Sequence, residues 1–258
     1  MAIVAHPDDE SLGFGGTLAK YAAEGVEVSL VTATRGDRGR FHGHRPGDPR
    51  HPGQTALAEI REHELRAAAA TLGVGDVSVL GFGDQQLDSA DCGEALARIA
   101  AELQRVRPDV VVTFGPDGAY GHPDHVAVSQ FTTAAIVTTA AVHSVSKLYY
   151  LAWPQSTWTA YEAAVKKLTC TVDGVDRQAA AWPDWAITTA IDTRHVWPTV
   201  WRAVCCHESQ VSAYERLHAL PAEHQEALWG SQSFYRAFSL VNSGRARETD
   251  LFEGIPRC

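Results

Sequence analysis

The sequence predicts an α/β fold, with a Rossmann-like, mostly parallel sheet that carries helices on both faces. Short β-branched runs alternate with longer amphipathic segments over the first 150 residues, which is the pattern of successive β-α units. The run 109–114 (D-V-V-V-T-F) is apolar without alternation, as is typical of a central parallel strand buried on both faces. Gly25, Gly73 and Pro108 mark turns or ends between these segments.

Nine elements are predicted in the core, residues 1–152. The predicted strands are a strand end at 3–5, strands at 26–33 and 77–80, the buried strand at 109–114 and a strand at 148–152. The predicted helices are at 12–24, 55–72, 94–106 and from Pro123 to about 141. A glycine-, proline- and arginine-rich stretch, 35–54, separates the second strand from the next helix. Loops of about 20 residues inside a compact domain are usually functional, so we expect this one to border the substrate.

Residues 153–258 are predicted to form a cap or wall that sets specificity, within a single domain of 1–258. Four of the seven tryptophans lie between 153 and 185. We expect them to pack in the core, with one or two available to stack on a sugar ring. A strand at 187–191, a helix at 196–206 and a last strand at 234–240 are predicted in this part.

Composition excludes several classes of protein. The formal net charge of −9 disfavours nucleic-acid binding, which needs clustered basic residues. We find neither an apolar stretch long enough to span a membrane nor a basic, signal-like beginning. The five cysteines are scattered and odd in number, which favours reduced thiols and a cytoplasmic protein. The sequence is compatible with a homo-oligomer but does not specify one.

Two clusters of metal-ligand residues follow predicted strands. The first is His6-Pro7-Asp8-Asp9-Glu10, and the second is Tyr120-Gly121-His122-Pro123-Asp124-His125. In open α/β sheets, ligands bind at the carboxyl ends of the strands. Each cluster alone is more simply a capped helix start. Together, at two strand ends of one sheet, they predict a metal site.

A catalytic zinc needs three histidine or carboxylate ligands and one open position. His6, His125 and one of the two neighbouring aspartates supply three such ligands. The other aspartate is then free to act as general base on a water molecule that the metal activates. Asp124 is expected to orient His122 through a carboxylate–imidazole contact. Zn²⁺ is therefore the predicted cofactor.

These motifs resemble the PIG-L (LmbE-like) family of zinc-dependent N-deacetylases. The resemblance rests on A-H-P-D-D-E at 5–10 followed, more than a hundred residues later, by H-P-D-H at 122–125. Three weaker matches support it: T-R-G-D-R-G at 34–39, R-E-H-E-L-R-A-A-A-A-T-L-G at 61–73 and H-E-S-Q at 207–210. Coverage is good over residues 1–150 and patchy afterwards.

The resemblance implies a role for each matching residue. Zinc would be held by His6, Asp9 and His125, with Asp8 as the general base. His122 would protonate the leaving amine or stabilise the oxyanion, and Tyr120 would polarise the carbonyl. Arg61 would lie near the substrate. Two positions depart from the family pattern: Asp37 stands where Glu is usual, and Val200 replaces a Lys seven residues before His207.

The 35–54 loop adds candidate substrate contacts. It carries five arginines and two aspartates, and Arg35 and Asp37 are the substrate-binding candidates. A solvated loop accounts for this charge more simply than recognition of an anionic substrate group. Its histidines, His42, His44 and His51, are expected to be solvated.

The sequence therefore predicts a zinc-dependent amidohydrolase that removes an N-acetyl or other N-acyl group from a small, amino-sugar-like molecule. One alternative is a non-catalytic binding module on the same fold; the presence of both Asp8 and His122 disfavours it. The other is a nucleotide-cofactor oxidoreductase, suggested by Gly13-Phe14-Gly15-Gly16. That run lacks the G-x-G-x-x-G spacing and follows three acidic residues that would repel a pyrophosphate.

Overall fold

The computed structural model describes residues 1–159, 169–172, 175–178, 181–212, 217, 219–244 and 246–256. A seven-stranded sheet has the order β3-β2-β1-β4-β5-β9-β8, and β6 and β7 form a separate two-stranded hairpin. The first five strands in this order run parallel to one another, whereas β9 is antiparallel to both β5 and β8. The predicted α/β class with a mostly parallel sheet is confirmed.

The strands are β1 (Ala2–Val4), β2 (Ser29–Thr34), β3 (Asp76–Phe82), β4 (Val110–Thr113), β5 (Lys147–Leu151), β6 (Thr169–Val172), β7 (Val175–Gln178), β8 (Thr189–Asp192) and β9 (Ser231–Ser239). The helices are α1 (Asp9–Leu12), α2 (Gly15–Ala23), α3 (Gln54–Thr71), α4 (Cys92–Val106), the distorted turn α5 (Gly118–Gly121), α6 (Pro123–Thr139), α7 (Trp197–Cys205) and α8 (Ala222–Trp229). The predicted elements agree with these to within a few residues, except that one predicted helix is split into α1 and α2. Among the described helices, none is long and apolar enough to cross a bilayer.

The C-terminal part extends the main sheet as well as flanking it. Strands β8 and β9 continue the sheet beyond β5, which the sequence predicted only as isolated strands. The β6–β7 hairpin was not predicted; it packs against α5. Treating 1–258 as one domain, with a core of 1–152 and a cap of 153–258, stays a prediction that the shared sheet supports.

The glycine run after β1 serves packing against the C-terminal part. A Cβ added at Gly15 would lie 2.9 Å from the side chain of Val200, and one at Gly16 would lie 2.8 Å from that of Thr193. Val200 is fully buried, so the position where the family pattern has Lys is a core position in this chain. The glycines let α2 approach its neighbours closely, so packing accounts for this run without a bound dinucleotide.

Strand order decides where ligands can bind. From β1 the chain first moves through β2 to β3, and β4 then returns to the other side of β1. In open α/β sheets this reversal leaves a crevice at the carboxyl ends of the two central strands. The loops after β1 and β4, which carry the two histidine clusters, both begin at this crevice.

A buried ion pair connects β5 to the C-terminal segment. Lys147 donates from Nζ to Oε1 of Glu248 at 2.7 Å, and both residues are almost completely buried. Arg236 donates to the same oxygen at 2.7 Å, and Tyr149 and Thr189 donate to the other at 2.7 and 2.8 Å. Burial would raise the pKa of Glu248, but Lys147 and the other donors lower it to about 2.

We expect Glu248→Gln to lower the free energy of unfolding by about 3–5 kcal/mol, because it leaves the Lys147 ammonium buried without a counter-charge. Lys147→Met should cost less, since Arg236 still pairs with Glu248. Asp192→Asn is the control: its pair with Arg194 is exposed, and such pairs contribute about 0–1 kcal/mol. Urea unfolding of the three variants measures this order, and equal losses would contradict it.

The same carboxylate predicts a pH dependence of stability. Its pKa in the folded protein, about 2, lies below the ordinary value of 4.5. Its contribution is therefore fully present above pH 4.5 and is lost as the pH falls toward 2. We expect the stability gap between wild type and Glu248→Gln to narrow over that interval in urea unfolding at fixed ionic strength. A gap that stays constant down to pH 2 would contradict the expectation.

Candidate active site

The loop after β1 turns sharply to present its side chains at the crevice. His6 directly follows the buried strand end, and Asp9 begins α1. Between them Asp8 has φ 118° and ψ −26°, a left-handed conformation that is strained for a residue other than glycine. The backbone therefore reverses within three residues, so that His6 and Asp9 lie on the same side of the turn.

Three side chains converge to form a triangle of ligand atoms. Nδ1 of His6 lies 3.2 Å from Nε2 of His125, and that nitrogen lies 3.3 Å from Oδ1 of Asp9. Oδ2 of Asp9 lies 3.6 Å from Nδ1 of His6. Ligands about 2.0–2.1 Å from a tetrahedral zinc ion stand roughly 3.3 Å apart, so the two separations from Nε2 of His125 fit such an ion, while His6 approaches the other oxygen of the Asp9 carboxylate.

The state of Asp9 also suits a metal ligand. Oδ2 accepts the backbone N–H groups of His6 at 2.8 Å and Ala5 at 3.2 Å, which fixes the carboxylate and leaves Oδ1 toward His125. Burial would raise the pKa of Asp9, but His125 and His6 hold it well below its ordinary value. The carboxylate is therefore anionic, as a ligand to a cation must be.

The other side of the His6 ring faces two buried carboxylates. Nε2 of His6 lies 3.0 Å from Oδ2 of Asp124 and 3.2 Å from Oδ1 of Asp84. Asp124 also accepts the backbone N–H groups of Gln85 and Leu87, at 2.7 and 3.0 Å. This corrects the expectation that the Asp124 carboxylate orients His122: it contacts His6 instead. An imidazole that faces a metal site with one nitrogen commonly donates to a carboxylate with the other.

Two sets of three side chains in the described part of the chain bring their ligand atoms within 4.8 Å of one another, and Asp9 adjoins the first through its 3.3 Å contact with His125. One is His6, His122 and His125, and the other is His6, Asp84 and Asp124. The oxygens of the second set already accept backbone N–H groups, from Gln85, Leu87 and Arg38. The Nδ1 side of His6 is therefore the better place for a cation, and a His/Asp cluster able to bind a metal lies at the crevice.

The second cluster is positioned by the start of α6. Pro123 occupies the first turn, and His122 caps the helix by accepting the backbone N–H of Asp124 at Nδ1, 3.2 Å away. A neutral His122 ring then carries its proton on Nε2. Burial, followed by the nearby His6 and His125, lowers the pKa of His122 to about 3. The ring of Phe114 stacks on His125 with centroids 4.0 Å apart, which fixes the plane of that ligand.

Asp8 lies beside this cluster and contacts Arg61. Nη2 of Arg61 donates to Oδ2 of Asp8 at 3.0 Å and also to the carbonyl of Pro7. Nη1 donates to the carbonyl of Gly36 at 3.0 Å. A Cβ at Gly36, where φ is +63°, would lie about where Nη1 is now, so the glycine of T-R-G-D-R-G is needed for this approach. Arg61 thus orients Asp8 and joins the 35–54 loop to the site.

The remaining predicted site residues are Tyr120, Arg35 and Asp37. Tyr120 is brought to the cluster, its ring edge-on to His125 with centroids 5.1 Å apart. Arg35 pairs with Glu62 on α3, at 2.8 Å, and its contact with the substrate stays a prediction. Asp37 lies half-buried on the same loop and stays a prediction.

Sequence reasoning missed three contributors to the site. Asp84 follows β3 as a lone carboxylate, and no motif marks it. Glu10 and His207 form a fully buried pair, with Nε2 of His207 2.7 Å from Oε1 of Glu10. The H-E-S-Q match was the available signal for His207. Polar side chains of such a motif need hydrogen-bond partners when they are buried.

The segment 207–210 forms hydrogen bonds with several elements. Ser209 donates from its backbone N–H and from Oγ to the carboxylate of Glu64 on α3, at 2.6 and 2.7 Å. Gln210 donates to the carbonyl of Arg40 at 2.7 Å, and the backbone N–H of His42 donates to the carbonyl of Ser209 at 2.8 Å. The 35–54 loop is therefore held against the C-terminal part of the chain.

Comparisons with known proteins agree with this geometry. Residues 1–136 match the PIG-L family, described as GlcNAc-PI de-N-acetylase. A 1D-myo-inositol 2-acetamido-2-deoxy-alpha-D-glucopyranoside deacetylase from Kineococcus radiotolerans is 35% identical over 97% of this chain and 81% of its own length. A second deacetylase with that name, from Acidothermus cellulolyticus, is 33% identical over 99% of this chain and 94% of its own length.

A solved structure shares the fold at lower identity. The N,N'-diacetylchitobiose deacetylase of Pyrococcus horikoshii superposes with a TM-score of 0.67 at 19% identity, covering 91% of this chain and 82% of that one. At this identity the likeness shows the fold alone, whereas the family match and the two sequence relatives cover the catalytic motifs and most of the chain. The chain therefore belongs to the PIG-L family of de-N-acetylases.

Proposed function

We propose that the protein is a zinc-dependent hydrolase that removes the N-acetyl group from an N-acetylglucosamine-containing small molecule. The observation that carries this proposal is the convergence of His6 Nδ1, His125 Nε2 and the Asp9 carboxylate, with contacts of 3.2, 3.3 and 3.6 Å, next to Asp8 in the same turn. Both sequence relatives named above are deacetylases of a glucosamine-containing inositol glycoside, which supports this substrate class.

His6, Asp9 and His125 would hold the metal, and Asp124 and Asp84 would orient His6. A bound zinc ion supplies Lewis acidity toward the amide carbonyl and lowers the pKa of water to near 7. The proposal assigns the remaining chemistry to side chains of this chain. Asp8, whose Oδ2 accepts from Arg61, would accept a proton from the attacking water as general base.

The rest of the reaction follows from the same placements. The water oxygen bonds to the carbonyl carbon, and the Nε2–H of His122 donates to the oxygen that becomes negative, with the Tyr120 hydroxyl as a second donor. The carbon–nitrogen bond then breaks, and the proton taken up by Asp8 passes to the leaving nitrogen. The immediate products are acetic acid, which keeps the second proton of the water, and a free amine; in neutral water they ionise to acetate and ammonium.

The alternatives receive less support. A non-catalytic module would have no need for Asp8, Arg61 and His122 around an intact ligand triangle. A small-molecule substrate agrees with the net charge of −9, which disfavours nucleic acid. Cys92, Cys205 and Cys206 are free thiols in the structure, which supports a cytoplasmic protein. A homo-oligomer remains part of the proposal to be tested by light scattering.

The direct test is acetate release from a panel of N-acetylated amino sugars by the zinc-loaded protein. The panel should contain N-acetylglucosamine, its inositol glycoside and N,N'-diacetylchitobiose. We expect hydrolysis of at least one, abolished by a chelator and restored by zinc. Metal analysis that finds no divalent ion, with hydrolysis insensitive to chelation, would exclude the proposal.

The neighbouring aspartates and histidines should separate into two classes of variant. Asp9→Ala and His125→Ala should lose the metal, because each removes a corner of the triangle. Asp8→Asn and His122→Ala should keep it, and Asp8→Asn should lower kcat by about 10²–10⁴-fold, the contribution of a positioned general base. Metal content by mass spectrometry and kcat under saturating zinc measure both properties.

High zinc is the control for this separation. It should partly restore Asp9→Ala, whose defect is affinity, and leave Asp8→Asn unchanged. If Asp8→Asn proves metal-free while Asp9→Ala stays loaded, the two roles are reversed. If all four variants keep metal and rate, the site lies elsewhere.

The carboxylate behind His6 should affect metal affinity without being a ligand. We expect Asp124→Asn to weaken zinc binding about 10–100-fold, because such hydrogen-bond partners fix the tautomer and basicity of a ligand histidine. Asp192→Asn is a suitable control, since the Asp192 carboxylate pairs with Arg194 at an exposed position. Competition with a chromogenic chelator measures the affinities; equal values for both variants would contradict the role of Asp124.

A further inference from the structure

The residue proposed as the base has a backbone that cannot hold its conformation unaided. Asp8 has φ 118°, a region that costs a residue other than glycine about 1–3 kcal/mol. A relaxed backbone at this position would turn the carboxylate away from the metal triangle. Hydrogen bonds to this turn must therefore maintain the direction of the Asp8 carboxylate.

Glu10 supplies one of these contacts from a buried position. Its Oε2 accepts the backbone N–H of Asp8 at 2.9 Å, and the side chain has no exposed surface. Arg61 holds the same turn from the other side through the carbonyl of Pro7 and Oδ2 of Asp8. Glu10 therefore acts on the backbone of Asp8, and Arg61 on both its backbone and its side chain.

Glu10 is itself fixed by a residue almost two hundred positions later. Its Oε1 accepts from Nε2 of His207 at 2.7 Å and from Oγ of Ser11 at 2.5 Å. His207 is completely buried and lies just beyond the end of α7, where its backbone N–H donates to the carbonyl of Val204 at 3.2 Å. Because the two oxygens of Glu10 have different partners, Glu10 connects the end of α7 to the Asp8 turn.

We infer that Glu10 and His207 are positioning residues, which hold the Asp8 carboxylate in its reactive direction from a buried pair that touches neither metal nor substrate. The inference rests on the proposed role of Asp8 as base. A buried ion pair is a poor device for stability, since a hydrophobic pair of similar volume is often as good or better. The hydrogen bond that Oε2 of Glu10 accepts from the backbone of the strained Asp8 turn gives this pair a positioning role instead.

A double-mutant cycle between Glu10 and Asp8 tests the inference. In the wild-type background we expect Glu10→Leu to lower kcat about 10²-fold, the scale of a 1 Å misplacement, with unchanged KM and zinc content. Glu10→Gln keeps an acceptor for the Asp8 N–H and should retain most of the rate. In the Asp8→Asn background, Glu10→Leu should cost little more, because residues that act through one another are not additive.

His207→Leu repeats the cycle from the other end of the pair, should Glu10→Leu fail to fold. Ser209→Ala is the matched control: it removes a buried hydrogen bond to Glu64 in the same segment without a contact to the Asp8 turn. It should lower the melting temperature and leave kcat of the folded, zinc-loaded enzyme unchanged.

The outcomes separate this inference from the proposed function. If Glu10→Leu and His207→Leu lower kcat by the same factor whether residue 8 is Asp or Asn, they do not act through Asp8 and the inference is wrong. If they lower only the melting temperature, as Ser209→Ala does, their role is structural and the inference is again wrong. If Asp8→Asn itself keeps the wild-type rate, the base assignment fails, and with it the proposed mechanism.

Discussion

The site depends on the adjacency of β1 and β4 in the sheet. These strands are more than a hundred residues apart in sequence, yet they pair in parallel with Ala2 opposite Val112. Their carboxyl ends therefore open side by side, and the loop after each needs only a few residues to bring His6 within 3.2 Å of His125. The approach of His6 and Asp9 to His125 follows from this pairing.

The arrangement of charge around the triangle explains why so many acidic residues are buried there. Cations and protonated imidazoles cannot be buried without counter-charges. His6 has carboxylates on both sides, Asp9 toward the triangle and Asp84 and Asp124 behind the ring. Those behind it are in turn held by backbone N–H groups of the 35–54 loop and of the segment after β3. The polar network is thus nearly complete before any metal is considered.

The C-terminal part of the chain holds the start of α1, α3 and the 35–54 loop in place. Its segment 207–210 contacts α1, α3 and the 35–54 loop through His207, Ser209 and Gln210. Farther along, Glu248 gathers donors from β5, β8 and β9. Strands β8 and β9 carry this part into the main sheet, so that its contacts have a rigid base. The cap or wall stays a prediction, whereas the extension of the main sheet by this part is a feature of the structure.

The sequence by itself determined the α/β class, most element boundaries and the residues of both metal-ligand clusters. It could do so because periodicity, proline and glycine act locally, and because H-P-D-D-E and H-P-D-H concentrate their chemistry in a few consecutive residues. It could not decide which imidazole Asp124 contacts, or that Arg35 pairs with Glu62. Nor could it identify Asp84, or the partnership of Glu10 with His207. Those facts depend on which side chains meet across strands and helices far apart in the chain. Only the tertiary structure fixes such meetings, because the direction of a side chain is set by packing rather than by its neighbours in sequence.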